Sequence, residues 1–224
     1  MENKKMSAGA RFPSLSWDGV GGTRVNPMAG SGWRMLVVYR GKHCPLCKAY
    51  LDQLNRMRAE FESSGIEVVA VSADPQSKAE AEAAECGWTF PIGYDLSLMQ
   101  MRELGLYISE PRSPQETDRP FSEPALFVIN PEGMTQIIDI SNAPFARPDL
   151  ESLLKGLQFV IGKDYPIRGQ ARNAISQRDI DGTILHSDRG AQFRSNAFVR
   201  RWRRLHVGPG QPGFCRRPGD RRRL

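Results

Sequence analysis

The sequence predicts an α/β fold of three layers, with helices on both faces of a central mixed sheet, and three stretches predict it. Residues 35–39 and 66–71 are short apolar runs separated by an amphipathic segment. They form a strand–helix–strand unit of about 35 residues, a connection that is right-handed almost without exception. Residues 125–129 and 136–140 are β-rich runs flanking Asn130-Pro131-Glu132-Gly133, a strong signal for an antiparallel hairpin. Pro148-Asp149 then opens a helix carrying Leu150, Leu153, Leu154, Leu157 and Val160 on one side.

Taken in order, residues 1–13 read as a flexible N-terminus and 14–170 as the folded domain. Residues 15–25, broken by Gly19, Gly21 and Gly22, read as a small hairpin leading into the first long strand. The helix after that strand shows Leu46, Tyr50, Leu54, Met57 and Phe61 at spacings of three and four, and Ser63-Ser64-Gly65 stops it. Residues 66–71 are apolar enough to be a strand buried on both faces. The Ala- and Glu-rich segment 76–86 is a helix, 90–94 a short strand, and 96–104 a short helix ended by Gly105. Residues 111–120, polar and studded with proline, form a surface loop. This order of elements is the thioredoxin-like architecture.

The chemistry lies at residues 44–47, Cys-Pro-Leu-Cys, where the first long strand hands over to the helix. Pro45 takes the first helical position, so Cys44 sits at the helix N-terminus. Unpaired N–H groups and the positive end of the helix dipole stabilise a thiolate there, the reactive form of cysteine. Other readings of the pair are half of a zinc site, for which no second ligand pair stands at a usable spacing, and an inert structural motif. Cys86 reads as a buried helix residue or an alternative resolving thiol. His43 either helps hold a thiolate or lies exposed at the turn.

With 40% hydrophobic and 25% charged residues the composition is that of a soluble globular protein. Neither an export signal nor a membrane span is apparent, so the expected location is cytoplasmic. In that reducing compartment four cysteines do not make a disulfide framework. The net charge of +6 is unevenly placed: residues 176–224 hold twelve arginines, no lysine and four aspartates, a net +8. The preceding body is slightly acidic and offers no argument for nucleic acid.

Tyr39-Arg40-Gly41-Lys42-His43-Cys44-Pro45-Leu46-Cys47, followed by Val68-Val69-Ala70-Val71-Ser72-Ala73-Asp74, resembles the peroxiredoxin-like branch of the alkyl hydroperoxide reductase/thiol-specific antioxidant (AhpC/TSA) family. Phe121-Ser122-Glu123-Pro124-Ala125-Leu126-Phe127, Pro144-Phe145-Ala146-Arg147-Pro148 and Lys163-Asp164-Tyr165-Pro166-Ile167-Arg168-Gly169 are similar to it too. The resemblance implies that Cys44 attacks a peroxide, that Cys47 resolves the product as a disulfide, and that an external thiol, from a thioredoxin or glutathione system, reduces it. No cofactor and no metal is implied. Arg40, Gly41, His43 and Pro124 are the supporting positions. Pro124 matches the cis-proline that faces such a pair in thioredoxin folds, the isomer being open at this stage.

Typical members carry Thr or Ser three residues before the first cysteine, Pro seven before it, and Arg near the start of the late strand. This chain has Gly41, Val37 and Pro124 there. Arg40, Arg119 and His43 are the candidates to stand in, and a disulfide exchanger on protein partners using the same dithiol is the alternative.

Residues 171–224 change character and read as a disordered, Arg-rich tail. Gly182 to Ser195 resembles the core of integrase-type insertion-sequence transposases, with Asp188 at one metal-binding position. Its two partner carboxylates are missing and one aspartate cannot hold the ions, so transposase activity is rejected. The rival reading makes the tail a basic nucleic-acid arm beside a lapsed redox fold, with Trp202 stacking on a base. An accidental remnant is the favoured account.

Overall fold

The computed structural model describes residues 5–170. The tail beginning at residue 171, with its transposase-like run and Cys215, lies outside the described residues.

In chain order the elements are β1 (Trp17–Gly19), a single turn at Val20–Gly22, β2 (Thr23–Val25), β3 (Trp33–Val38), α1 (Pro45–Ser63), β4 (Ile66–Val71), α2 (Gln76–Cys86), β5 (Ile92–Gly93), α3 (Leu98–Glu103), β6 (Ile108–Ser109), β7 (Phe121–Ser122), β8 (Ala125–Ile129), β9 (Thr135–Ile140) and α4 (Leu150–Gly162). The main sheet runs β2-β1-β5-β4-β3-β8-β9. The strands β3, β4 and β5 are parallel to one another, and β8 lies antiparallel to β3, so the sheet is mixed as expected. Val38 at the end of β3 pairs with Ala125 at the start of β8. One end of the sheet therefore holds both the approach to Cys44 and Pro124.

Side chains of β3 alternate between two cores. Met35 and Val37 join Val68, Ala70 and Val128 under α1 and α4, while Leu36 and Val38 join Val69, Val71 and Phe127 against Met101 of α3. Helices on both faces make the three layers, the thioredoxin-like arrangement.

Three expectations need correcting. Residues 9–12 are not free: Gly9 N–H donates to Thr135 O, Thr135 N–H to Ala10 O and Phe12 N–H to Gly133 O, and Phe12 is buried against Phe127. The inward face of α1 is Cys47, Leu51, Leu54, Met57 and Phe61, whereas Leu46 is 49% exposed and Tyr50 half-buried. At the first turn of α1 the inward position therefore goes to the second cysteine, which is fully buried. Finally, the 111–120 loop is closed at its base by the β6–β7 pair, with Ile108 opposite Ser122, and Thr117 within it is buried. The loop packs over the mouth of the Cys44 cleft.

Candidate active site

Beyond β3 the chain turns through Arg40 and Gly41, and Cys44 N–H closes the turn on Gly41 O at 3.1 Å. Gly41 has φ +117°, a region that side chains avoid, and a Cβ there would lie 2.5 Å from Asp74 Oδ2. That same carboxylate oxygen accepts Lys42 N–H at 2.7 Å. The turn before the cysteine is thus moulded onto Asp74, which follows β4, and the site depends on glycine at position 41.

Cys44 is the N-cap of α1. Its backbone is extended, Pro45 starts the helix, and Cys44 Sγ accepts Cys47 N–H at 3.2 Å. A sulfur filling the place usually held by a Ser or Asp oxygen meets a helix-end donor, which it shares with Cys44 O at 3.0 Å, and that contact favours its charged form. The Cys44 thiol is lowered to about 6: the hydrogen bond from the Cys47 thiol is the largest cause, the Cys47 backbone N–H and the charges of Arg40 and Arg147 add to it, and burial opposes. Cys47 moves the other way, because burial and its donation to Cys44 both favour its neutral form. One thiol is favoured as the thiolate and the other kept protonated beside it.

Arg40 is clamped rather than loose. It meets Glu116 at 3.3 Å and Glu123 at 3.5 Å, and its guanidinium lies 4.7 Å over the Phe121 ring. Its charge is among those favouring the Cys44 thiolate. His43 rests edge-on against Phe121 at 4.6 Å, and neither ring nitrogen finds a partner among the described residues. Burial and the Arg40 charge push its pKa below the ordinary histidine value. It is a neutral wall of the cleft and gives the thiolate no hydrogen bond. Arg119 is spent on Asp95 and Asp118 at the surface, away from any stand-in role. Pro124 is buried just before β8 with its carbonyl accepting Ser141 N–H, and the Glu123–Pro124 bond is trans, since no cis peptide occurs among the described residues. Its isomer thus differs from that of the cis-proline to which the resemblance matched it.

Cys86 accepts a hydrogen bond from Lys48 Nζ at 2.8 Å at the end of α2. Among the described residues no three His, Cys, Asp or Glu side chains converge as a metal site.

Two groups escaped the sequence reading. Arg147, between β9 and α4, donates from Nη2 to Cys47 Sγ at 2.7 Å and lies 4.9 Å over the Tyr50 ring. Glu82 on α2 is 2% exposed with neither carboxylate oxygen partnered among the described residues; burial first, then the charges of Asp74 and Cys44, raise it to about 7.

Cys44 opens into a cleft of about 840 Å³, lined among others by Arg40, His43, Lys78, Pro114 and Glu116. The 111–120 loop forms its far wall, strapped by Lys78–Asp118 at 2.8 Å and by Glu116, which binds both Arg40 and Arg112. Hydrogen bonds from the Arg112 side chain, above all, hold the Glu116 carboxyl down to about 2, so the strap stays charged throughout the working pH range. Replacing Glu116 by Gln is expected to loosen this wall and raise tryptic cleavage after Arg112 several-fold; a digestion time course checks it.

The AhpC/TSA family model matches residues 8–137, a span that includes both cysteines. Among solved structures the chain is similar to a mutant of peroxiredoxin 6 from Arenicola marina, with 18% identity, a TM-score of 0.60, and coverage of 79% of this chain and 88% of that one. A peroxiredoxin-like protein from Aquifex aeolicus gives 16% identity, a TM-score of 0.60, and coverage of 70% and 89%. AhpC from Enterococcus faecalis gives 20% identity, a TM-score of 0.58, and coverage of 71% and 97%. No protein matched in the comparison with curated sequences. At these identities the structural likenesses speak for the fold, and the matched family model carries the assignment: the chain belongs to the AhpC/TSA family.

Proposed function

We propose that the chain reduces peroxides through a dithiol–disulfide cycle in which Cys44 is the nucleophile and Cys47 the resolving thiol. The family is one of thiol-dependent antioxidant enzymes, and this chain is such an oxidoreductase. The observation that carries the residue assignment is Cys44 Sγ at the N-cap of α1, accepting Cys47 N–H at 3.2 Å with its thiol lowered to about 6.

In this scheme the Cys44 thiolate attacks one peroxide oxygen. The O–O bond breaks, the leaving oxygen takes a proton as water or alcohol, and Cys44 becomes a sulfenic acid. Cys47 then loses its proton and attacks that sulfur, releasing water and forming the disulfide. One equivalent of a dithiol such as a thioredoxin, or two of a monothiol such as glutathione, restores the dithiol by exchange and leaves as a disulfide. A reducing compartment such as the cytoplasm supplies that thiol. Among the described residues no helix is long and apolar enough to cross a membrane.

Stopped-flow mixing of reduced protein with hydrogen peroxide tests the proposal, and a rate no faster than that of a free thiol overturns it. The second reading, a disulfide exchanger on protein partners, is favoured by one specific feature: position 41 has no room for the hydroxyl side chain that typical members place there. Rapid reduction of insulin disulfides together with slow peroxide consumption is the outcome that would select it.

The pH dependence follows in sign from Cys44. Its folded value lies below the ordinary thiol value, so the thiolate persists down to about pH 6 and is lost below it. Alkylation of Cys44 by iodoacetamide, followed by mass spectrometry, is expected to be nearly flat above about pH 7 and to fall below it with a midpoint of about 6. By linkage the reduced fold gains stability as pH rises from about 6 toward the unfolded thiol value, and loses that contribution as pH falls through about 6.

A further inference from the structure

Arg147 reaches the cysteine pair from the β9–α4 loop with only part of its hydrogen-bonding capacity used. Nη2 donates to Cys47 Sγ at 2.7 Å, while Nε and Nη1 are buried without a partner among the described residues. Such a guanidinium is held at a cost unless charge comes to meet it. The titratable and charged groups that face Cys47 are Cys44, Tyr39 and Arg147; those that face Arg147 are the two cysteines, Tyr50 and Asp139.

At rest the negative charge is on Cys44. Donation to that sulfur and repulsion by it both keep Cys47 neutral, in addition to burial, and Arg147 is the charge that opposes them. When Cys44 becomes a sulfenic acid or a mixed disulfide its charge disappears, and both restraints go with it. Burial and the guanidinium are then what Cys47 meets.

The geometry points to Arg147 as a catalytic residue of the second step, receiving the negative charge on Cys47 Sγ as that thiol gives its proton to solvent and attacks Cys44. This rests on the Cys44/Cys47 reading above. In the step the S–S bond forms and the bond from Cys44 sulfur to its leaving group breaks. Hydroxide departs and is protonated to water, or a thiolate departs from a mixed disulfide. The charge thus moves from one sulfur to the other while the arginine stays still, so little reorganisation is needed.

The test uses an aromatic disulfide whose leaving thiolate is coloured, which reports each step without any peroxide. It is run on the full chain with Cys86→Ser and Cys215→Ser to remove the other thiols. The Cys44 attack releases one coloured thiolate, and the Cys47 attack on the mixed disulfide releases the second. In Arg147→Gln the first phase is expected to stay within roughly threefold, whereas the second slows roughly 10–100-fold. The pH midpoint of the second phase should rise in Arg147→Gln and stay near the parent value in Arg147→Lys, which keeps the charge. An unaltered second phase in Arg147→Gln overturns the assignment. So does equal slowing in both variants with no shift of midpoint, the signature of a packing role alone. Failure of the parent protein to react fast with hydrogen peroxide, with both coloured thiolates still released, overturns the peroxidase reading and leaves the Arg147 assignment to its own result. Release of only one thiolate by the parent overturns both.

Discussion

Replacing Cys44 by Ser reduces peroxide consumption to background, a loss of at least ~10³-fold, because a serine hydroxyl is not ionised at neutral pH and is a poor nucleophile without a base. Cys47 cannot take over. It is fully buried, and burial alone, the largest of the causes that raise its pKa, remains in this variant to hold it protonated. Cys47→Ser behaves differently: one fast turnover persists, and then the reaction stalls with a sulfenic acid on Cys44. Trapping with dimedone and intact-mass measurement separates the two variants, since only Cys47→Ser should gain the adduct on adding peroxide. Fast turnover by Cys44→Ser would assign the attack to another thiol. Sustained turnover by Cys47→Ser as fast as the parent's on the same dithiol reductant would remove Cys47 from the cycle.

Gly41→Thr restores the residue type found three positions before the cysteine in typical peroxiredoxins, and it is expected to damage the enzyme. The backbone there has φ +117°, and the new Cβ would stand 2.5 Å from the Asp74 carboxylate that holds Lys42 N–H. A strained backbone and an overpacked contact together cost roughly 2–5 kcal/mol, and the turn that aims Cys44 shifts with them. Thermal unfolding of the reduced protein and the alkylation rate of Cys44 check this. A threonine variant with unchanged melting temperature and faster peroxide reaction would show the turn to be more yielding than its contacts imply. The departure at position 41 is therefore part of a different local solution, in which Asp74 takes the space next to the turn.

What the sequence made legible was local. Strand β4 and helix α2 are bounded as expected, because Gly65, Asp74-Pro75 and Gly87 punctuate the chain where the composition changes. The placement of the cysteine pair was legible for the same reason: both thiols, the cap and the helix start lie within four consecutive residues. Arg147 was not, since its partner Cys47 is 100 positions away and only the packing of the β9–α4 loop on α1 brings them together. Glu82 sits in an Ala- and Glu-rich helix, where an acid reads as a solvated charge, and nothing local says that this one is turned inward. Leu54, Met57 and Phe61 face inward on α1 as expected, but the first two positions were misread by one residue because Leu46 and Cys47, like Tyr50 and Leu51, are neighbours of comparable apolar character. Their roles differ only in which one faces the sheet.

The bond between Cys47 N–H and Cys44 Sγ has one more consequence, because a single contact both holds the nucleophile and caps α1. A charged sulfur is a good acceptor for a helix-end donor, and a sulfur in a disulfide is a poor one. In the proposed cycle each oxidation would therefore leave Cys47 N–H with Cys44 O alone and loosen the opening turn of the helix, and each reduction would tighten it again. Leu46 is half-exposed on that turn, so under the proposed cycle the rigidity of the surface beside Cys44 would follow the redox state of the pair.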